Sequence, residues 1–175
     1  MADAVVIPGG AFGPAAGLLM YVSLVAERRG VTIHRHSWSQ DRPNPFEPAV
    51  EGWVRGELTP LLDEVGGTPL LIGKSYGTNA ALLAAERCLP AVWLTPLLTA
   101  PWVVAALGGA TAPFLLVGGT ADNLWDGKAA RRLSPYVLEV DGANHGMVTP
   151  GPLTDSIAVL GQMVVAMEEF LDAIG

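Results

Sequence analysis

Short apolar runs alternate with helix-like segments along almost the whole chain, and this alternation restricts the possible folds more than any single motif. Strand-like runs fall at Ala4 to Ile7, Val31 to His36, Pro69 to Ile72, Ala91 to Leu94, Phe114 to Val117 and Tyr136 to Val140. Between them lie amphipathic or small-residue segments, Pro14 to Arg29, Pro48 to Glu64, Thr78 to Cys88, Ala100 to Leu107 and Lys128 to Leu133, with a last helix from Leu153 to Ile174. A βαβα rhythm of this kind predicts an α/β fold with a mainly parallel six-stranded sheet and helices on both faces. Parallel strands covered on both sides read as continuous apolar runs, so Val5-Val6-Ile7 and Phe114-Leu115-Leu116-Val117 are expected in the interior of the sheet. Right-handed crossovers leave few topologies, and the expected strand order is 2-1-3-4-5-6. A ligand crevice is then expected at the carboxyl ends of the strands, where the winding reverses. Gly9-Gly10-Ala11, Ser37-Trp38, Ser75, Asp122 and His145 each follow a strand-like run.

The 175 residues are most simply one domain, 1–175, long enough for a single core. Half of them are hydrophobic, yet the apolar runs are four to eight residues long, too short to span a bilayer. The start of the chain lacks a basic segment followed by a long apolar one, so no membrane association and a cytoplasmic location are expected. A net charge of −7 with scattered Lys and Arg argues against nucleic-acid binding. Cys88 is the only cysteine, which excludes an internal disulfide and a cysteine zinc site, and it is expected as a packed thiol. No metal or cofactor is expected. The segment Asp41 to Pro48 reads as a proline-rich rim loop.

The pentad Gly73-Lys74-Ser75-Tyr76-Gly77 joins a strand-like run directly to a helix-like one. Glycines two residues either side of a serine leave room for a sharp turn that lifts the hydroxyl above the sheet, at the N-terminus of a helix. A serine hydroxyl needs a base to take its proton as it attacks, and an imidazole suits this best. His145, in the glycine-flanked loop Asp141 to Met147, is the leading candidate, with His34 and His36 expected as structural or rim residues. A carboxylate must hold the imidazole tautomer. Asp122 is favoured over Asp126, which precedes Gly127-Lys128-Ala129 like a helix N-cap, and over Asp141. Oxyanion donors are expected from the N–H of Tyr76 and from either Ala11 or Gly10 in the turn after the first strand. A phosphate loop does not fit, because Gly73-Lys74-Ser75 lacks the upstream glycine of the Walker spacing.

Ser75, Asp122 and His145 occur in the order Ser, Asp, His, and with the elbow pentad, the Gly119-Thr120-Ala121-Asp122 turn and the Pro8-Gly9-Gly10 turn the chain resembles the α/β-hydrolase family over nearly its whole length. The resemblance implies a minimal, single-domain, lidless serine hydrolase without the family's first two antiparallel strands. Pro8-Gly9 stands where the family usually has His-Gly. Lys74 before the serine is similar to a subgroup of small bacterial and eukaryotic hydrolases, and more distantly to dienelactone-hydrolase-like proteins. It points either to an acidic substrate group or to a solvated lysine.

Without a lid, the pocket is expected from rim loops: Phe12, Trp38, Trp125 and Met147, with Trp102 reaching in and Tyr76 alongside, forming a cleft for a small apolar or aromatic acyl compound. Trp53 and Trp93 are assigned to packing. Two functions follow: hydrolysis of a carboxylic ester, thioester or related acyl bond through an acyl-enzyme on Ser75, or a catalytically silent binding or scaffold protein that keeps the fold. An acyltransferase would use the same residues.

Overall fold

Six strands, β1 (Asp3–Ile7), β2 (Thr32–Arg35), β3 (Leu70–Lys74), β4 (Ala91–Leu94), β5 (Phe114–Gly119) and β6 (Tyr136–Val140), form one sheet in the order β2-β1-β3-β4-β5-β6, and all five pairings are parallel. The computed structural model describes residues 1–11, 13–15 and 17–175. The helices among them are α1 (Leu18–Arg28), α2 (Ala49–Val65), α3 (Ala81–Glu86), α4 (Pro101–Gly109), α5 (Gly127–Leu133) and α6 (Leu153–Ile174). None is long and apolar enough to cross a membrane.

Side chains alternate across a strand, so each interior strand feeds two separate cores. Ala4 and Val6 of β1, Leu70 and Ile72 of β3, Val92 and Leu94 of β4, and Leu115 and Val117 of β5 pack against α1 and α6. Val5, Ile7, Leu71, Trp93 and Leu116 face the opposite layer, built by α2, α3, α4 and Ala130 of α5. The apolar runs expected inside the sheet, Val5 to Ile7 and Phe114 to Val117, belong to β1 and β5, which have neighbours on both sides and are buried throughout those runs. Each such Val, Leu or Ile taken fully out of water contributes about 1.5–3 kcal/mol. Edge strands β2 and β6 are only partly buried.

Three local readings need correction. Helix α1 starts at Leu18 rather than near Pro14, because Gly17 has φ 57°, outside the right-handed helical region. The segment after Ser75 is a 3₁₀ turn, Ser75–Ala80, followed by the short α3, rather than one helix from Thr78 to Cys88. Cys88, at φ 53°, takes the left-handed position that ends a helix, and it is exposed rather than packed.

Candidate active site

The turn at Ser75 is built by steric necessity. A Cβ on Gly73 would lie 2.5 Å from the Trp93 ring, and one on Gly77 would lie 2.7 Å from the Ile7 carbonyl oxygen. Both positions therefore require glycine, and between them Ser75 is held at φ 50°, a conformation that costs a non-glycine residue of order 1–3 kcal/mol. Polar ties fix the turn. The Thr78 hydroxyl donates to the Ser75 carbonyl at 2.5 Å, and the Asn79 amide donates to the Tyr76 carbonyl at 3.0 Å. Trp102 Nε1 in turn donates to Asn79 Oδ1 at 2.8 Å. The first N–H groups of such a turn, that of Tyr76 among them, have no partner within it.

Ser75, Asp122 and His145 leave the ends of β3, β5 and β6 and meet. His145 Nε2 lies 2.8 Å from Ser75 Oγ, and His145 Nδ1 lies 2.7 Å from Asp122 Oδ2. The Asp122 side chain is 2% exposed, against 37% for His145. Its other oxygen accepts the Leu124 N–H at 2.9 Å, which fixes the carboxylate plane. The two loops are laced together, with Ala121 N–H donating to the Ala143 carbonyl at 3.0 Å. Gly119 has no space for a side chain, since an added Cβ would overlap Ala143.

Sequence reasoning passed over Asn144, the residue that shapes the histidine loop. Its Oδ1 accepts the N–H groups of Gly146 at 2.8 Å and Val148 at 3.1 Å, and its backbone accepts from Met147 at 2.8 Å. An asparagine with a glycine two residues away on either side was the available signal of a turn. Asp126 accepts from Lys128 N and Ala129 N as the N-cap of α5, the role its position suggested. Asp141 accepts the Thr120 hydroxyl, and His34 pairs with Asp3. His36 is nearly buried beside Glu57 and stacks edge-on against Trp38. Burial pushes its pKa below 6.5, and Glu57 opposes the shift.

Beside Ser75 is a cavity of about 530 Å³ lined by Gly9, Gly10, Ala11, Gly13, Gly17, Leu18, Leu19, Lys74, Ser75, His145 and Gly146. Gly10 and Ala11 thus share the cavity wall with the serine. Among the described residues, none of the aromatic side chains expected there lines it. Trp38, Trp125 and Trp102 pack on the opposite side of the sheet, against the α2–α4 core, and each indole N–H is already bonded: to the Pro8 carbonyl, to Glu139 and to Asn79. Trp38 lines a separate cavity of about 250 Å³ that, among the described residues, shares Gly10, Ala11 and Gly13 with the first. Met147, at φ 59° and 1% exposed, plugs the α1–α6 core beneath the histidine loop. Tyr76 packs with Trp38 and Trp53, and burial raises its phenol to about 12. Phe12 lies outside the described residues. The wall facing α1 carries Lys74 instead. Burial lowers the pKa of its ammonium, and the charge of Asp122 opposes that.

No family model and no curated protein sequence matches the chain. Solved structures do. A Xanthomonas campestris protein assigned to the alpha/beta hydrolase superfamily is 22% identical, with a TM-score of 0.67 over 99% of both chains. Est1E from Butyrivibrio proteoclasticus, with ferulic acid bound, is 14% identical with a TM-score of 0.74 over 99% of this chain and 89% of that one. A monoacylglycerol lipase from Paleococcus ferrophilus is 16% identical with a TM-score of 0.62 over 94% of both. The fold is that of the alpha/beta hydrolases.

Proposed function

We propose that this chain is a serine hydrolase that cleaves a carboxylic ester, thioester or related acyl bond of a small molecule, with Ser75, His145 and Asp122 as its catalytic residues. The observation that carries the reading is the unbroken line of two short hydrogen bonds from the Ser75 hydroxyl through the imidazole to a buried carboxylate. The monoacylglycerol lipase among the chains of like fold supports an ester as the bond cleaved.

The chemistry runs in two halves. Ser75 Oγ attacks the acyl carbon while its proton passes to His145 Nε2, and Asp122 stabilises the imidazolium by accepting from Nδ1. The oxyanion is received by the N–H of Tyr76 and by that of Gly10 or Ala11, each donor being worth about 3 kcal/mol in the transition state. Collapse expels the alkoxide or thiolate, which takes the proton from Nε2. Water then gives a proton to Nε2 and attacks the acyl-enzyme, and the same relay returns the serine and releases the acid.

The strained elbow serves this purpose by holding Ser75 in place before substrate arrives. A cavity of about 530 Å³ beside Ser75 suits a compact acyl group rather than a long lipid chain. Turnover of short 4-nitrophenyl esters, and its loss by at least about 10³-fold in Ser75→Ala, is the expected result. Folded wild-type protein with no turnover of esters or thioesters would favour the silent binding protein instead.

A further inference from the structure

Building on the assignment of Ser75 as nucleophile, we propose that the substrate's acyl part carries a carboxylate, and that Lys74 pairs with it inside the cavity beside Ser75. Lys74 is the last residue of β3 and follows the parity of Leu70 and Ile72, so its side chain leaves the sheet toward α1 and α6. It forms part of the same cavity wall as Leu18, Leu19, Ser75 and His145. Among the described residues that line the wall there is no Asp or Glu, and Lys74 carries the one Lys or Arg side chain.

The ammonium is short of partners. A lysine Nζ carries three N–H donors. The single hydrogen bond it makes among the described residues is a long one, 3.5 Å to the His145 carbonyl oxygen. Among the described residues no carboxylate lies within 4 Å of it, although Arg29, Arg35, Arg55, Arg87 and Arg131 all have carboxylate partners on the surface. Partial burial costs the lysine hydration, for which the described residues return that one long bond and the more distant charge of Asp122. A bound anion restores that loss, and one ammonium matches one monoanion. Two features specify the rest of the ligand. The anchor adjoins the serine in sequence, which puts the anion a few bonds from the scissile carbon. Leu18 and Leu19 supply an apolar wall for the intervening methylenes. A half-ester of a short dicarboxylic acid has this combination.

A lysine that instead steadied the oxyanion would act on charged and neutral substrates alike, which makes the two roles separable. The test compares kcat/KM for mono-4-nitrophenyl adipate with that for 4-nitrophenyl 6-oxoheptanoate, which replaces the carboxylate by an uncharged methyl ketone. Wild type is expected to prefer the adipate, and Lys74→Met to lower the adipate-to-ketone ratio by about 10- to 100-fold, the worth of a hydrogen bond to a charged group. Lys74→Arg should recover part of the preference. A ratio unchanged by Lys74→Met, including an equal fall on both esters, overturns the proposal. Titration of adipate into Ser75→Ala and into the Ser75→Ala, Lys74→Met double variant separates it from the hydrolase reading. If no ester is turned over but adipate binds the first and not the second, the carboxylate site stands and the hydrolase reading falls. If both esters are turned over with a ratio indifferent to Lys74, the reverse holds. Adipate that binds neither variant, with no turnover, overturns the proposal as well.

Discussion

Replacing Asp122 by Asn changes one atom type in a buried network, and the surroundings dictate how the new amide sits. Asp122 Oδ1 accepts the Leu124 N–H at 2.9 Å, while Oδ2 faces His145 Nδ1 at 2.7 Å. The amide oxygen must stay with Leu124, because an NH₂ group there would oppose one donor to another. The NH₂ therefore faces Nδ1 and makes that nitrogen an acceptor. Neutral His145 then carries its proton on Nε2, which is the atom 2.8 Å from Ser75 Oγ. Nε2–H then donates to Ser75 Oγ, and the serine proton is left without a base to take it. The expected cost is about 10³–10⁴-fold in kcat for a 4-nitrophenyl ester, the order of the loss when a triad imidazole is held in the wrong tautomer. Stability should move by only about 1 kcal/mol, because shape and the Leu124 bond are kept. Asp122→Ala, by contrast, should cost about 1–3 kcal/mol by leaving the Leu124 N–H unpaired. Stopped assays with urea unfolding of the same samples separate the two effects. A folded Asp122→Asn variant within tenfold of wild type would refute the tautomer argument and the role given to Asp122.

Three further perturbations bear on the framework. Gly77→Ala forces a Cβ to within 2.7 Å of the Ile7 carbonyl and 3.1 Å of that of Pro8, both backbone atoms, so the urea midpoint should fall by an amount equivalent to about 1–3 kcal/mol; an unchanged midpoint would mean the elbow has slack. His36, whose pKa is lowered by burial, should make the fold acid-sensitive: as pH falls through 6.5 the unfolded chain takes up a proton before the folded one does, so stability drops. His36→Gln should flatten that part of the Tm against pH curve, and an identical curve would count against the assignment. Asp126→Ala removes the acceptor of Lys128 N and Ala129 N, so it should lower Tm while ester turnover stays at the wild-type value; a loss of turnover at unchanged Tm would give Asp126 a part in the chemistry.

The strand runs, their parallel pairing and the strand order were legible because fully buried parallel strands leave continuous apolar runs, and turns rich in glycine and proline separate them. That Ser75, Asp122 and His145 stand beyond the ends of β3, β5 and β6 follows from the same pattern. The lining of the cavity was not legible. Trp38, Trp102 and Trp125 sit next to the right turns in sequence, but the layer each joins is set by which helices cover which face, information that spans the whole sheet. Lys74 and the two leucines of α1 reach the cavity for the same reason, through the parity of β3 and the position of α1. The exposure of Cys88 was hidden because a left-handed helix end is usually signalled by glycine.

The account stands most directly on whether His145 activates Ser75, and intact-mass analysis after treatment with a small phosphonofluoridate measures that. It predicts one adduct on the wild-type chain, mapped to the peptide containing Ser75, none on Ser75→Ala, and labelling slowed by at least about 10³-fold on His145→Ala. A folded wild-type chain that takes no adduct, or one that His145→Ala takes equally fast, would contradict it.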